Sequence, residues 1–238
     1  MTPALILTRP ALQAEAFAAE ITARWVGPLR TILSPLLQIV PVPITVDLTQ
    51  VKGVILTSAH GVAASRAAAL PRGLPAWCVG EKTAQLATAA GFDVIAGPGD
   101  ATRLADKIIS RRPDGPLVHL HGVHTRGGVS ERLAAAGIGC IDVIGYDQIA
   151  QPLSDAAFDA LQGDAPVILP LFSPRTATIL AGQAPFAAPV HVVVMSTAVQ
   201  NAAAAINLRS LSVAATPDAG AMIAATLKRL RVMAEQGL

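Results

Sequence analysis

The chain has 238 residues, enough for one large domain or for two lobes that each bury their own core. Lys and Arg number 18 against 16 Asp and Glu, so the net charge is +2, and 3% of the residues are aromatic. This composition excludes the basic surface and the stacking platforms of a nucleic-acid binder. Although 52% of the residues are apolar, no apolar run approaches the roughly 18 residues that cross a bilayer. We therefore expect a soluble protein with no membrane partner.

Strand and helix signals begin with the first residues. Met1–Pro10 contains a predicted strand, and Pro10 marks the first turn of a helix predicted over Ala11–Arg24. This start has no basic segment ahead of a long apolar stretch, so we expect no signal peptide and a cytoplasmic location. The two cysteines, Cys78 and Cys140, lie in apolar strand-like runs without CxxC or Cys/His spacing. That pattern predicts free thiols in a reducing compartment.

The alternation of strands and helices continues along the chain. Helices are predicted over Arg103–Arg111 after the capping residue Thr102, and over Ala156–Leu161 after Ser154. Runs such as Val54–Leu56 are continuously apolar, which is typical of strands buried on both faces in a parallel sheet. The sequence therefore predicts an α/β protein of the doubly wound kind.

The second half of the chain repeats the pattern of the first half. The strand at Val54 and the Thr57-Ser58 pair after it are echoed by the strand at Val167 and by Phe172-Ser173. An offset of roughly 115 to 120 residues is too long for a solenoid, so each repeat is itself a small α/β domain. We expect two similar lobes with a cleft between them.

Two extended segments interrupt the alternation. Residues 35–43 contain Pro35 and Pro41, which edge strands or linkers accept, and residues 140–150 form a second long extended run. We interpret the two segments as linker strands around an inserted lobe, residues 44–139. The other lobe is then discontinuous and comprises residues 1–34 and 151–238. A two-stranded linker of this kind would act as a hinge.

A set of short motifs resembles a known family, in order and over the full length. They are Leu7-Thr8-Arg9-Pro10, Pro35-Leu36-Leu37-Gln38-Ile39, Thr57-Ser58, Val79-Gly80 followed by Thr83-Ala84, Gly91-Phe92, and Tyr146 at the close of the second linker. Together they resemble uroporphyrinogen-III synthase. The resemblance implies two α/β lobes on a two-stranded linker and no cofactor. It also implies that the linear tetrapyrrole hydroxymethylbilane is cyclised, with inversion of the last pyrrole ring and loss of water.

The chain departs from the family pattern at three places. The family commonly has Asn-Ala after the first Thr-Ser, whereas this chain has Ala59 and then His60-Gly61. The second repeat contains Phe172-Ser173-Pro174-Arg175, and its later helix has Asn207-Leu208 in place of the usual terminal Gly. These departures weaken the transfer of individual residue roles to the C-terminal lobe.

Tyr146, the only tyrosine, matches the family's best candidate for a catalytic acid. A phenol is protonated at neutral pH, as a donor to a leaving hydroxyl must be. The alternative is an aromatic side chain that only packs at the hinge.

Several hydroxyls and one glycine are candidate substrate contacts at the carboxyl ends of predicted parallel strands. There, hydroxyls and helix N–H groups can hold carboxylates. Plain N-capping is the alternative for Ser and Thr. The candidates are Thr57, Ser58, Thr83, Gly122, Ser173, Ser196 and Thr216.

Three arginines are candidate partners for the carboxylates of the implied tetrapyrrole. Arg9 follows the first strand, Arg126 lies in a Gly-rich loop, and Arg175 begins a helix. The planar guanidinium suits carboxylate recognition. Each could instead be a solvated surface arginine.

The sequence gives little support for other chemistries. His119 and His121 would share a strand face, with His124 nearby, but no neighbouring carboxylate or cysteine completes a metal site, so we expect none. There is no GxGxxG, Walker or GxSxG pattern, so we expect neither a nucleotide cofactor nor a hydrolase. The remaining alternative is a non-catalytic two-lobe binding protein for an anionic small molecule. We expect a monomer.

Overall fold

The computed structural model describes residues 1–124 and 127–236. The chain divides into two compact units. The first, which we call the discontinuous unit, consists of Met1–Gln38 and Ala150–Leu238, and the second, the inserted unit, is Ile39–Ile149. In the described part of the chain, no helix combines the length and the apolar character needed to cross a membrane.

Strands and helices alternate through both units. In chain order they are β1 (Ala4–Leu7), α1 (Ala11–Arg24), β2 (Arg30–Leu33), β3 (Leu37–Pro41), β4 (Gly53–Leu56), α2 (Ala59–Ala67), β5 (Pro75–Cys78), α3 (Glu81–Ala90), β6 (Asp93–Ala96), α4 (Ala101–Arg111), β7 (Leu117–Gly122), α5 (Val129–Ala135), β8 (Cys140–Ala150), α6 (Asp155–Gln162), β9 (Val167–Leu171), α7 (Pro174–Ala181), β10 (Val190–Val194), α8 (Thr197–Ala202), β11 (Ser210–Val213) and α9 (Ala219–Glu235).

The discontinuous unit is built on a five-stranded sheet with the order β11-β10-β9-β1-β2, in which all neighbours are parallel. Successive side chains of a strand point to opposite faces, and here both faces are buried. In β1, Ile6 belongs to one apolar core while Leu5 and Leu7 belong to the other. Helices α6, α7 and α8 cover the first face, and α1 and α9 cover the second.

The inserted unit is built on a six-stranded sheet with the order β3-β8-β7-β4-β5-β6. Strands β4 to β8 pair in parallel. The edge strand β3 runs antiparallel to β8, because Val42 N–H bonds to Gly145 O while Gln151 N–H bonds to Leu36 O. Pro41 is therefore accommodated at a sheet edge, where a missing N–H costs no ladder bond.

Two cores flank the sheet of the inserted unit. Val54 and Leu56 of β4 pack under α2 and α3, while Ile55 packs under α4 and α5. This arrangement, like that of the other unit, confirms the predicted doubly wound α/β class. The repeat is also visible, since β4-α2-β5-α3-β6-α4 and β9-α7-β10-α8-β11-α9 follow the same succession.

Two helix starts agree with the sequence-based predictions, whereas the cap of α4 and the role of residues 140–150 differ from them. Helix α1 has the predicted bounds, and Ser154 caps α6 through a bond from Ala157 N–H. The cap of α4 is Asp100, which accepts from Arg103 N–H, and the choice of Thr102 as its cap is wrong. The predicted linker 140–150 coincides with β8, which is an inner strand of the six-stranded sheet.

Candidate functional site

The carboxyl ends of β4, β7 and β8 meet at one edge of the sheet in the inserted unit, because the three strands are adjacent and parallel. Tyr146 lies in the last part of β8 and is 7% exposed. Its hydroxyl lies 2.9 Å from the Oγ of Ser58, a residue two positions after the end of β4. Two of the predicted site residues, far apart in sequence, are therefore hydrogen-bonded to each other.

Ser58 also begins helix α2. Its backbone is extended, and its Oγ accepts a hydrogen bond of 3.0 Å from Gly61 N–H. N-capping, the alternative role for this serine, is therefore present, and the contact with Tyr146 is present beside it. The phenol is thus connected through one hydroxyl to the positive end of a nine-residue helix.

Gly122 ends β7 and lies against the Tyr146 ring. A Cβ built on Gly122 would stand 2.5 Å from Cε2 of Tyr146, closer than any carbon contact allows. The absence of a side chain at this position is what lets the ring lie so close to the strand. Gly122 is therefore a packing partner of the tyrosine.

His60 contacts the same ring from the start of α2. The ring centroids of His60 and Tyr146 are 5.4 Å apart, with the planes tilted by 57°. Burial lowers the pKa of His60, so the neutral imidazole is favoured. From the sequence, His60 is a departure from the family pattern and is not among the predicted site residues.

A second polar cluster lies on β7 and β8. His119 and His121 point to the same face, and Asp142 is the register partner of His119 on the neighbouring strand. Asp142 Oδ2 lies 2.8 Å from His121 Nε2, and Oδ1 lies 3.4 Å from His119 Nδ1. The expectation that no carboxylate lies near these histidines is therefore wrong, because the pairing of the two strands places Asp142 beside them.

The ionisation of this cluster follows from its burial and its hydrogen bonds. Burial, with a further contribution from His121, lowers the pKa of His119 to about 4. Partial burial tends to raise the pKa of Asp142, but hydrogen bonds from Ser130 and His121 outweigh it, and the pKa falls below its ordinary value. Asp142 is consequently a carboxylate at neutral pH.

The discontinuous unit has a polar edge of its own, where β1 and β9 end side by side. The guanidinium of Arg9 lies 3.9 Å from the centroid of the Phe172 ring, and its Nη2 donates to Gln13 Oε1 over 3.2 Å. Partial burial lowers the pKa of Arg9. Among the described residues no carboxylate forms an ion pair with it, so this half-buried cation has capacity for an external anion.

The remaining candidates of this unit lie at the starts of helices. Ser173 Oγ accepts from Thr176 N–H over 3.1 Å and caps α7, and the half-buried Arg175 is in the first turn of that helix. Ser196 is at the N-cap position of α8 but makes no capping bond with its side chain. Thr216 is exposed and donates its hydroxyl to Asp218, the cap of α9.

The structure does not place every candidate at these edges. Thr83 is on the inner face of α3 and is 7% exposed, which suits packing better than ligand contact. Thr57 Oγ1 is 3.4 Å from His119 Nε2, so its described contact is within the histidine cluster. Arg126 lies outside the described residues.

Comparison with known proteins identifies the family. The family model described as uroporphyrinogen-III synthase HemD matches residues 18–224, which is most of the chain. The chain belongs to the uroporphyrinogen-III synthase family. A search of curated proteins gave no match.

Solved structures of uroporphyrinogen-III synthases have a similar fold. The enzyme from Helicobacter pylori matches with a TM-score of 0.66 and 16% identity, over 96% of this chain and 99% of that one. A mutant enzyme from the extremely thermophilic bacterium Thermus thermophilus matches with a TM-score of 0.50 and 15% identity, over 96% and 98% of the two chains. At such identities the likeness concerns the fold, and the family model carries the assignment.

Family membership confirms the predicted activity. The synthase is a lyase of heme biosynthesis that cyclises hydroxymethylbilane, a linear tetrapyrrole. The alternative of a non-catalytic binding protein is therefore set aside.

Proposed function

We propose that the Tyr146 hydroxyl is the general acid that protonates the leaving hydroxyl of hydroxymethylbilane. The observation that carries this assignment is the 2.9 Å contact between Tyr146 Oη and Ser58 Oγ at the start of α2. Loss of water from the substrate leaves an electrophilic azafulvene. A proton donor at the departing oxygen lowers the barrier to this step.

The hydrogen bonds around Ser58 support the release of the phenol proton. Ser58 Oγ already accepts from Gly61 N–H, so its own hydroxyl hydrogen can be donated to Tyr146 Oη. The phenol hydrogen is then directed to the substrate. Once it has left, the phenolate is stabilised by the Ser58 hydroxyl and by the positive end of α2.

We propose further that inversion of the last ring depends on how the substrate is positioned. Without an enzyme the azafulvene closes to the uninverted isomer, so the protein has to direct attack through the substituted carbon to a spiro intermediate. Fixed cations and helix N–H groups that hold the substrate carboxylates would provide that control. The residues we assign to this task are Arg9, Arg126, Ser173, Arg175 and Ser196.

Replacement of Tyr146 by Phe tests the acid role. The variant lacks the hydroxyl but keeps the ring beside Gly122, so we expect turnover to fall by about 10- to 10³-fold. The residual product should still be isomer III, because positioning is unchanged. The measurement is a single-turnover assay with hydroxymethylbilane, followed by oxidation and separation of the porphyrin isomers.

Two outcomes of this assay would change the assignment. Full turnover in the Phe variant would remove Tyr146 from the acid role. Release of mostly isomer I would show instead that the phenol positions the substrate.

We also propose that the protein acts as a monomer in the cytoplasm and needs no cofactor. The free thiols of Cys78 and Cys140 support a reducing compartment. Burial raises the pKa of Cys78 to about 11, so this thiol stays protonated and unreactive. Light scattering on the eluted protein should give a mass near the 24.4 kDa of one chain.

A further inference from the structure

The histidine cluster on β7 and β8 has no part in the proposed acid chemistry. His119 and His121 are 2% and 4% exposed, whereas the side chain of Asp142 is 52% exposed and faces solvent. One nitrogen or oxygen of each residue lies within 4.8 Å of the others. Two buried imidazoles therefore converge on one carboxylate that is open to the outside.

Both hydrogen-bond partners of the His121 ring are acceptors. Nδ1 lies 2.8 Å from Gly122 O, a carbonyl that can only accept, so Nδ1 carries a proton. Nε2 lies 2.8 Å from Asp142 Oδ2, which also only accepts. Either Nε2 carries a second proton, or another cation lies between Nε2 and the carboxylate.

The two ring nitrogens of His119 also have different partners. Its Nε2 lies 3.4 Å from Thr57 Oγ1, an oxygen that can accept a hydrogen bond. Its Nδ1 faces Asp142 and lies 3.3 Å from Ser130 Oγ. The hydroxyl of Ser130 donates a hydrogen bond to Asp142. Metal-ligating histidines commonly give their second N–H to a protein oxygen in this way, which fixes the ring and its tautomer.

We propose that His119, His121 and Asp142 form a binding site for a divalent transition-metal ion of the Zn²⁺ type. The ligand atoms are His119 Nδ1, His121 Nε2 and a carboxylate oxygen of Asp142. Tetrahedral ligands at Zn²⁺ bond lengths are about 3.3 Å apart. His119 Nδ1 lies 3.4 Å from Asp142 Oδ1, and His121 Nε2 lies 2.8 Å from Asp142 Oδ2, the other oxygen of the same carboxylate. Small shifts of the side chains accommodate the ion, with a water or Ser130 Oγ as fourth ligand.

The ligand set selects the kind of ion. Two imidazoles and one carboxylate suit Zn²⁺ and its first-row neighbours, whereas Ca²⁺ and Mg²⁺ prefer oxygen ligands alone. The exposed side of Asp142 gives the ion a path from solvent. Because the ligands come from two adjacent strands, a bound ion would join β7 to β8 and stabilise the folded inserted unit.

Titration with metal ions tests the proposal on the intact chain, without reference to turnover. Calorimetric titration with Zn²⁺ should show about one ion per chain, and the melting temperature should rise with Zn²⁺ concentration. Co²⁺ in place of Zn²⁺ should give the intense visible absorption of a four-coordinate ion. A weak spectrum typical of a solvated six-coordinate ion, or no spectral change at all, would overturn the proposal.

Two ligand variants and one control locate the site. His121→Gln and Asp142→Asn keep polarity and size, and each should weaken Zn²⁺ binding by at least about tenfold. His60→Gln removes a histidine of the same unit outside the cluster and should bind as the wild type does. Equal affinity in all four proteins, or an equal loss in the control, would assign the binding to surface histidines. If either ligand variant fails to fold, the Co²⁺ spectrum of the wild type still decides.

Discussion

A side chain at position 122 would occupy space that the Tyr146 ring fills. In Gly122→Ala the new methyl would stand 2.5 Å from the ring, so the ring or the end of β7 has to move. We expect a loss of stability of about 1–3 kcal/mol, as for other overpacked sites, and a fall in turnover of about tenfold, or ~1.4 kcal/mol. Thermal unfolding and steady-state kinetics measure the two effects.

Gly139→Ala is the matched control for this variant. Gly139 immediately precedes β8, and a Cβ there would meet its nearest neighbour at 3.8 Å, an ordinary contact. This variant should retain both stability and turnover. If Gly122→Ala behaved in the same way, the close packing of Tyr146 on β7 would have no bearing on catalysis.

Arg9 tests anion recognition in the discontinuous unit. Removal of its guanidinium in Arg9→Ala should raise KM for hydroxymethylbilane by roughly tenfold, or about 1.4 kcal/mol, because a charge-assisted contact to a carboxylate is lost. Arg24→Ala provides the comparison, since Arg24 is exposed on α1 and paired with Glu20. An unchanged KM in both variants would class Arg9 as a structural cation that packs on Phe172.

The sequence was informative about residues whose chemistry is rare in this chain. Tyr146 was selected through the resemblance to the family and as the only tyrosine of the chain, and Ser58 was selected as a hydroxyl that follows a predicted strand. Asp142 was missed because its partnership with His119 depends on the register of β7 with β8, which no local pattern specifies. His60 was visible only as a departure from the family pattern, and its contact with Tyr146 needed coordinates.

Strand β10 carries a buried histidine whose protonation makes the stability of the discontinuous unit depend on pH. His191 Nδ1 lies 2.8 Å from Ser210 Oγ of β11, and Nε2 has no partner among the described residues. Burial, followed by the charges of Arg229 and Arg209, lowers the pKa of His191. The folded state therefore binds a proton less readily than the unfolded state, whose histidine titrates at about 6.5.

The sign of this shift gives a pH prediction. Stability supplied by the neutral imidazole is present above about pH 6.5 and is lost as pH falls toward the lower folded pKa. Melting temperatures at about pH 7.5 and about pH 5.5, on either side of that value, should therefore differ more in the wild type than in His191→Gln, whose amide does not titrate. An equal difference in the two proteins would show that His191 does not control acid stability.

Elements were predicted best where their signals are local. Pro10 and Ser154 fixed the starts of α1 and α6, because proline and serine act through their own backbone or side chain. The segment 140–150 was recognised as extended, but its place inside the six-stranded sheet was not. Membership of a sheet depends on partners that are distant in sequence, and length and hydrophobicity alone do not identify them.

At the scale of the whole molecule, the place of β8 changes which fragment is expected to fold. A fragment of residues 39–149 retains β8 beside β7, whereas residues 44–139, the lobe expected from sequence, lack it. Without β8 the fully buried strand β7 becomes a sheet edge and loses its contacts with Val143. We expect well-dispersed amide NMR signals from fragment 39–149 and poor dispersion or aggregation from fragment 44–139.

Comparison of the two fragments under the same conditions provides the control. A disordered spectrum from 39–149 would mean that the inserted unit needs the remainder of the chain. A well-ordered 44–139 would show that β8 is dispensable to this core.

The inner position of β1, between β9 and β2, has a consequence for the order in which the protein is made. Strand β1 is synthesised well before β9, one of its two sheet neighbours, which begins only at Val167. At about 5 to 20 residues per second, the ribosome completes the inserted unit before β9 exists. Ala4–Leu7, fully buried in the finished protein, must therefore wait with one side unpaired. During that interval the nascent chain exposes an apolar strand, and chaperones that cover such segments would be most useful then.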